Sequence, residues 1–215
     1  MKIITLPAGG KFYVTPCGLF PSVTTVLAAT KPLSQKQGLK KWYERNGSEA
    51  DNLRQAAADR GKVIHRPRFK GEDIECPPDV NAFWEEAQKV LGAIDSVVAS
   101  EQTLYHPQYH YAGTLDLLAY WRDSFTLFDF KTSHRPKRIQ WLTDAKLQIA
   151  AYRAAYQYLY GVEIAQGLIA VITPDTVQLF TLEEEELESS WREWSLRLEE
   201  YQNFSLYDQL FANKY

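Results

Sequence analysis

Three ionisable side chains interrupt apolar runs in the middle of the chain: Asp116 within YAGTLDLLA, and Asp129 and Lys131 within LFDFKTS. Successive side chains of a strand point to opposite faces. Asp129 and Lys131 therefore share one face of a strand over about 125–132, and Phe128 and Phe130 take the other. Asp116 belongs to a strand over about 111–121, joined to the next by a short polar turn at 122–124. A register that brings Asp116 beside Asp129 sets two carboxylates together. Such a pair repels unless a cation neutralises it, and Mg²⁺ or Mn²⁺ takes carboxylate oxygens readily. Lys131 then stands next to the metal, in reach of a phosphate or an attacking water. Alone, D-x-K arises often by chance and reads as an exposed cross-strand ion pair of little worth. With G-T-x-D about a dozen residues earlier and T-S directly after it, the pattern is much more specific.

Two further features agree. Gln148 and Tyr152, in QIAAY, are four apart and share one face of a helix. That face can hold a phosphate or a base; taken singly, the pair reads as an interfacial tyrosine beside an exposed glutamine. His65 ends the run RGKVIH near the end of a helix. Imidazole suits Mn²⁺-type sites, and a histidine is also favoured at a helix C-terminus by the dipole; both readings stand. Pro67 ends that helix at or before Arg66.

The elements that must position these groups follow from pattern and punctuation. KIITL and KFYVT, separated by PAGG, form an N-terminal hairpin. FPSVTTVLAATK opens a short helix with Ser22 or Pro21 at its start. Helices are expected over 34–46, 48–65 and from Pro77 and Pro78 to about 100, then strands over 101–107, 111–121 and 125–132. A long helix over 140–160, strands over 164–172 and 176–181, and a helical region from 184 complete the chain. This is an α/β domain with an N-terminal helical addition.

Composition narrows the class. Net charge is −3, but it is segregated: residues 31–70 hold eleven Lys and Arg against four acids, and residues 131–153 hold six against one. Residues 183–200 hold eight Glu against two Arg. Two basic stretches flanking an acidic site suggest a groove for a polyanion. Cys17 and Cys76 form no C-x-x-C, which excludes a zinc knuckle, a four-cysteine iron–sulfur cluster and a disulfide framework. No apolar run approaches the ~20 residues of a membrane helix, and the N-terminus is too polar for a signal peptide; a cytoplasmic protein is expected. No P-loop is present, so any unwinding falls to a partner.

Taken in order, PSVTTVL (21–27), RGKVIH (60–65), YAGTLDLLA (111–119), LFDFKTS (127–133) and QIAAY (148–152) resemble the PD-(D/E)XK nuclease superfamily in its RecB-like exonuclease branch. Within that branch the likeness is to the mitochondrial genome-maintenance exonucleases and their bacterial and phage relatives. The resemblance implies a restriction-endonuclease-like core, a central mixed β-sheet flanked by helices. It implies one nuclease domain over 1–215, with 20–70 as a basic helical DNA-binding part and 101–181 as the catalytic core. It implies one or two Mg²⁺ or Mn²⁺ ions held by His65, Asp116, Asp129 and the Phe130 carbonyl, and Lys131 as the catalytic lysine. Gln148 and Tyr152 resemble the motif that supports the site and touches DNA, and Glu101 resembles a glutamate that relatives often have there. Ser22, Thr24 and Thr25 resemble groups that contact the DNA backbone. Lys40, Lys41, Arg60 and Lys62 are expected as the cations of the basic wall, and Ser133 as a further DNA contact. Trp42, Tyr43 and Trp141 are candidates to stack on unpaired bases. The four-cysteine members of the branch carry an iron–sulfur cluster; this chain cannot.

The resulting expectation is a metal-dependent exonuclease acting on single-stranded DNA from an end, with the basic helices arching over the strand and a helicase or repair complex as a partner. Three alternatives compete with it. One is a duplex endonuclease of restriction type. Another is a nucleic-acid-binding protein with a vestigial site. The third is a scaffold subunit of a repair or CRISPR adaptation complex, docked through the acidic 183–200 helix.

Overall fold

The computed structural model describes residues 1–6, 9–65 and 77–212, and their side chains except those of 65 and 204–212. The chain begins with three antiparallel strands, β1 (Lys2–Thr5), β2 (Lys11–Thr15) and β3 (Gly18–Pro21). The third strand was not expected from the sequence; Gly18, at a φ of 126°, makes the turn into it. Helix α1 (Val23–Ala29) follows, with Ser22 as its N-cap.

Helices α2 (Leu33–Asn46) and α3 (Ala50–His65) are joined by a 3-10 turn at Gly47–Glu49. They form an arm that gives little to the core. No residue of α2 is buried and residues 51–59 are all exposed; α3 is buried at its first residue, Ala50, and again at Arg60 and Ile64.

Helix α4 (Asn81–Leu91) is shorter than expected. Its pattern does not continue to residue 100: the helix stops at Gly92, and the β-branched pair Val97 and Val98 lies in strand β4 (Ser96–Ser100), which pairs antiparallel with a neighbour. Then come β5 (Thr103–His106), β6 (Tyr111–Thr114), β7 (Leu117–Trp121) and β8 (Ser124–Thr132). Arg122 and Asp123 both have positive φ, 50° and 64°, as a tight hairpin turn requires.

After a 3-10 turn at Ile139–Trp141, helix α5 (Thr143–Tyr160) crosses from β8 to β9 (Gln166–Ile172). Strand β10 (Val177–Leu182) and helix α6 (Glu184–Ala212) end the described chain. The central sheet has the order β10-β9-β8-β7-β4, and within it only β8 and β9 are parallel. Parallel neighbours need a crossover, which α5 supplies. The architecture is the expected one: a mixed α/β protein with a central mixed sheet flanked by helices.

Both faces of the sheet are covered. Leu118, Leu127, Ile169 and Val171 meet α1, α5 and α6 through residues such as Leu27, Leu147, Ile149, Trp194 and Leu198. Leu117, Ala119, Phe128, Phe130 and Ile172 meet α3 and α4 through Ile64, Phe83, Ala87 and Val90. Alternation along β8 thus sorts Leu127, Asp129 and Lys131 toward α5, and Phe128 and Phe130 toward α3 and α4. Helix α6 is therefore a wall of the core. Its glutamates line the outside, while Leu187, Trp194 and Leu198 are buried, and the buried Arg197 donates from Nε to Thr30 Oγ1 at 2.6 Å and from a guanidinium N–H to the Leu27 carbonyl at 2.8 Å. Among the described residues no helix is long and apolar enough to cross a membrane.

Candidate active site

The site is built where the chain changes sheets. Strands β5 and β6 form a separate two-stranded ladder, and the chain passes from it into the central sheet at Leu115 and Asp116. The expected single strand over 111–121 is broken there. The apolar run conceals the break because Leu115 and Leu117 are both fully buried, one on each side of the crossing. The crossing is pinned to its counterpart between β4 and β5: Leu115 N–H donates to the Gln102 carbonyl, and Glu101 N–H donates to the Asp116 carbonyl, both at 3.0 Å. Glu101 holds a left-handed φ of 51° in doing so. It neighbours Asp116 through the backbone, at the bend between β4 and β5 and not within a strand.

The last paired residues of β7 and β8 are Leu117 and Phe128. Asp116 lies one step past that pair, level with Asp129. Its Oδ2 accepts the Phe130 N–H at 2.9 Å. Asp129 is 3% exposed, and the Lys131 ammonium lies 2.7 Å from each of its carboxylate oxygens. Lys131 Nζ is also 3.5 Å from Gln148 Oε1 on α5. Burial pulls the Lys131 pKa down, but the charges of Asp129 and Asp116, the hydrogen bond to Asp129 and the charge of Asp144 outweigh it, and the net shift is upward. Lys131 keeps its proton at neutral pH.

Tyr152 lies one turn beyond Gln148 and is buried. Burial and the neighbouring charges of Asp116 and Asp129 push its phenol well above the ordinary range, so it is a neutral donor facing the carboxylates. Its ring lies on Gly113: a Cβ there would come within 2.5 Å of Tyr152 Cε1. The glycine of the G-T-x-D pattern is needed for this close approach. Thr114, next to it, shares its hydroxyl with Tyr13 at 3.1 Å and Thr103 at 3.3 Å.

Five expected residues thus converge: Asp116, Asp129, Lys131, Gln148 and Tyr152. Asp144 was missed. It precedes Gln148 by one turn, so 144, 148 and 152 make one stripe on α5, a spacing that was open to reading. Its Oδ2 accepts from Lys31 Nζ at 3.2 Å, tying the base of the arm to the end of the site that holds Lys131.

The remaining candidates lie elsewhere. Ser22 is buried and committed to capping: its Oγ accepts from Thr25 N–H at 3.0 Å and contacts the Thr24 and Thr25 hydroxyls. Thr25 is bonded to Lys11, donating to its carbonyl and accepting from its N–H. Of the three hydroxyl residues expected to touch a DNA backbone, Thr24 alone is exposed. Arg60 is buried with its guanidinium 4.6 Å from the Phe83 ring centroid, so it fastens α3 to α4 and is not part of an open basic wall. Lys40, Lys41 and Lys62 are exposed on the arm, where Trp42 is half-buried. Ser133 is buried, and its hydroxyl bonds to the Arg135 backbone. The His65 side chain, like Pro67, falls outside the described residues.

Carboxylates are the donors a hard divalent cation takes. Two carboxylates converge, and Asp129 is already neutralised by an ammonium lying against both its oxygens. A third protein side chain is not supplied by the described residues, among which no group of three His, Cys, Asp or Glu gathers.

No family model matches the sequence. Among curated proteins the chain is 31% identical over 203 residues to the Xenopus tropicalis protein named mitochondrial genome maintenance exonuclease 1, covering 86% of this chain and 58% of that one. The mouse and human proteins of the same name are 32% and 30% identical, covering 84% and 85% of this chain. These relatives are named as exonucleases. The chain spans 58% of the length of each. Of solved structures, a Eubacterium rectale protein aligns over 73% of this chain and 66% of its own with a TM-score of 0.44 at 12% identity, a likeness too loose to argue from.

Proposed function

We propose that this chain is a divalent-metal-dependent deoxyribonuclease of the PD-(D/E)XK type that shortens single-stranded DNA from an end. The observation that carries the reading is the convergence of Asp116, Asp129 and Lys131 where the chain enters the central sheet, with Gln148 and Tyr152 facing them from α5. The exonuclease names of the relatives point the same way.

Asp116, Asp129 and the Phe130 carbonyl would hold the cation, with His65 as the further ligand the resemblance implies. When bound, the cation supplies Lewis acidity toward the scissile phosphate. The protein's own groups do the rest. Asp116 takes the Phe130 N–H, which fixes the Phe130 backbone beside it. Lys131, protonated, acts as a fixed positive charge for the pentavalent transition state and not as a base. Gln148 directs its oxygen at Lys131, leaving its NH₂ to donate to a phosphate oxygen. Tyr152 offers a neutral hydroxyl from a dry position. Lys40 and Lys41, exposed on an arm that packs little against the core, would track the backbone of a flexible strand.

The test is degradation of end-labelled linear single strands in Mg²⁺ and in Mn²⁺, beside circular single strands and blunt duplex. Loss of linear single strands alone is expected. Equal cutting of circles overturns the requirement for an end, and no cutting in either metal overturns the nuclease reading.

A further inference from the structure

Trp42, Tyr43 and Trp141 lie on the basic stretches, and the structure separates them. Tyr43 is committed within the arm: the Arg54 guanidinium lies 5.6 Å from its ring centroid, and its hydroxyl meets Arg54 and Asp51. Trp42 packs edge-on against Tyr43 at 5.3 Å. Trp141 is different. It is 64% exposed, unlike the buried Trp194 of the core. It closes the 3-10 turn immediately before α5, and the Arg138 guanidinium lies 5.6 Å from its ring centroid.

The loop that presents Trp141 is held at several points. Ser133 N–H donates to the Ile172 carbonyl at 2.9 Å, continuing the β8–β9 ladder. The Gln178 side chain, from β10, grips the Lys137 backbone on both sides: its Oε1 accepts the Lys137 N–H at 2.6 Å and its Nε2 donates to the Lys137 carbonyl at 3.1 Å. The buried Leu142 anchors the far end. Arg135, Lys137 and Arg138 are all exposed, and no acidic residue lies between Lys131 and Asp144. An exposed indole on a fixed, wholly basic loop is a platform: the ring offers a π-face to a base, and the flanking cations meet the phosphates on either side.

We propose that residues 133–141 form a stacking site for one unpaired nucleobase of a single-stranded polynucleotide. Trp141 is the platform, Arg138 orients the ring, and Arg135 and Lys137 take the adjacent phosphates. The inference rests on the nuclease reading for its purpose. Lys131 opens the same loop and Asp144, just past Trp141, acts on the Lys131 charge, so a base seated on Trp141 sets the strand's register against the site.

Binding without metal tests the platform independently of cleavage. Fluorescein-labelled single strands of one sequence are titrated in EDTA by anisotropy, beside an abasic strand of equal length. Wild type is compared with Trp141→Ala, Trp141→Phe and Gln178→Ala, all checked for an unchanged unfolding midpoint. Trp141→Ala should weaken binding of the base-bearing strand roughly 5- to 150-fold. It should leave the abasic strand unaffected, and Trp141→Phe should restore most of the loss. Equal affinity of wild type and Trp141→Ala, or equal loss on the abasic strand, overturns the platform. A wild type that binds through Trp141 but cleaves nothing in Mg²⁺ or Mn²⁺ upholds the platform and sinks the nuclease reading alone.

Discussion

The end of β8 and the α2–α3 arm are both rich in charge, yet they are built on opposite principles. At the end of β8 each polar group is fixed by a partner: Asp116 by Phe130 N–H, Asp129 by Lys131, Tyr152 by the gap at Gly113. In the arm, α2 buries nothing, and Leu33 stands 75% exposed beside a row of lysines. Buried charge must be paired to survive, so the first region is rigid and intolerant. Surface charge is worth little to folding, so the second is free to serve binding. The two regions should therefore respond to mutation in opposite currencies, activity or fold in one and affinity in the other.

The largest effect is expected at Lys131. Lys131→Ala should lower single-strand cleavage roughly 100- to 1000-fold. Asp129 then loses its cation, and the carboxylate is left in a pocket that is 3% exposed; added divalent metal should raise the unfolding midpoint of the variant more than that of wild type. A variant that cleaves normally breaks the comparison at its centre.

Gly113→Ala tests rigidity without touching charge. The new methyl meets Tyr152 at 2.5 Å, a distance that forces the ring or strand β6 to move. A loss of about 1–3 kcal/mol in stability is expected by denaturant unfolding, recovered in part when Tyr152→Leu, which removes the ring, is added. An unchanged midpoint would mean that the ring is not held.

Much of the first region was legible in the sequence. Period-two alternation put Asp129 and Lys131 on one face because a strand covered on both sides leaves no other arrangement. The break at Leu115 and Asp116 was not legible, because a chain crossing between two sheets keeps both flanking leucines buried and reads as one strand. Strand β4 was hidden by the helical pattern that precedes it. Arg60 looked like a groove cation, and only tertiary packing on Phe83 shows otherwise. The acidic face of α6 dominated its composition, while Trp194 and Leu198, spaced four apart on the opposite side, carried the information about the core.

Acid sharpens the contrast further. His106 is 4% exposed, inside a cluster of Tyr109, Tyr111, Tyr158 and Trp191, and burial pushes its pKa from 6.5 down to about 4. The unfolded chain then binds the extra proton first. Stability is full above pH 6.5 and falls as the pH drops toward 4, by up to about 3 kcal/mol. Unfolding free energies of wild type and His106→Gln across that window check this; the variant should lose the dependence that His106 contributes, and equal slopes contradict the assignment.

The smallest structural effect belongs to the arm. Lys40→Ala with Lys41→Ala should change stability by less than about 0.5 kcal/mol. It should weaken single-strand binding and lower the slope of log affinity against log salt by about 1.4, some 0.7 for each lost contact. A marked fall in stability would place the arm with the core instead.

The central claim, that Asp116, Asp129 and Lys131 act together on a phosphodiester, is tested most directly by single-turnover cleavage of one labelled linear single strand in Mn²⁺. Wild type, Lys131→Ala, Asp116→Asn and the Asp116→Asn/Lys131→Ala double variant are compared at matched fold. The account predicts that each single variant loses at least about 100-fold and that the double loses hardly more, as groups acting as a unit do. Activity that survives in the single variants, or losses that multiply as for independent groups, would contradict it.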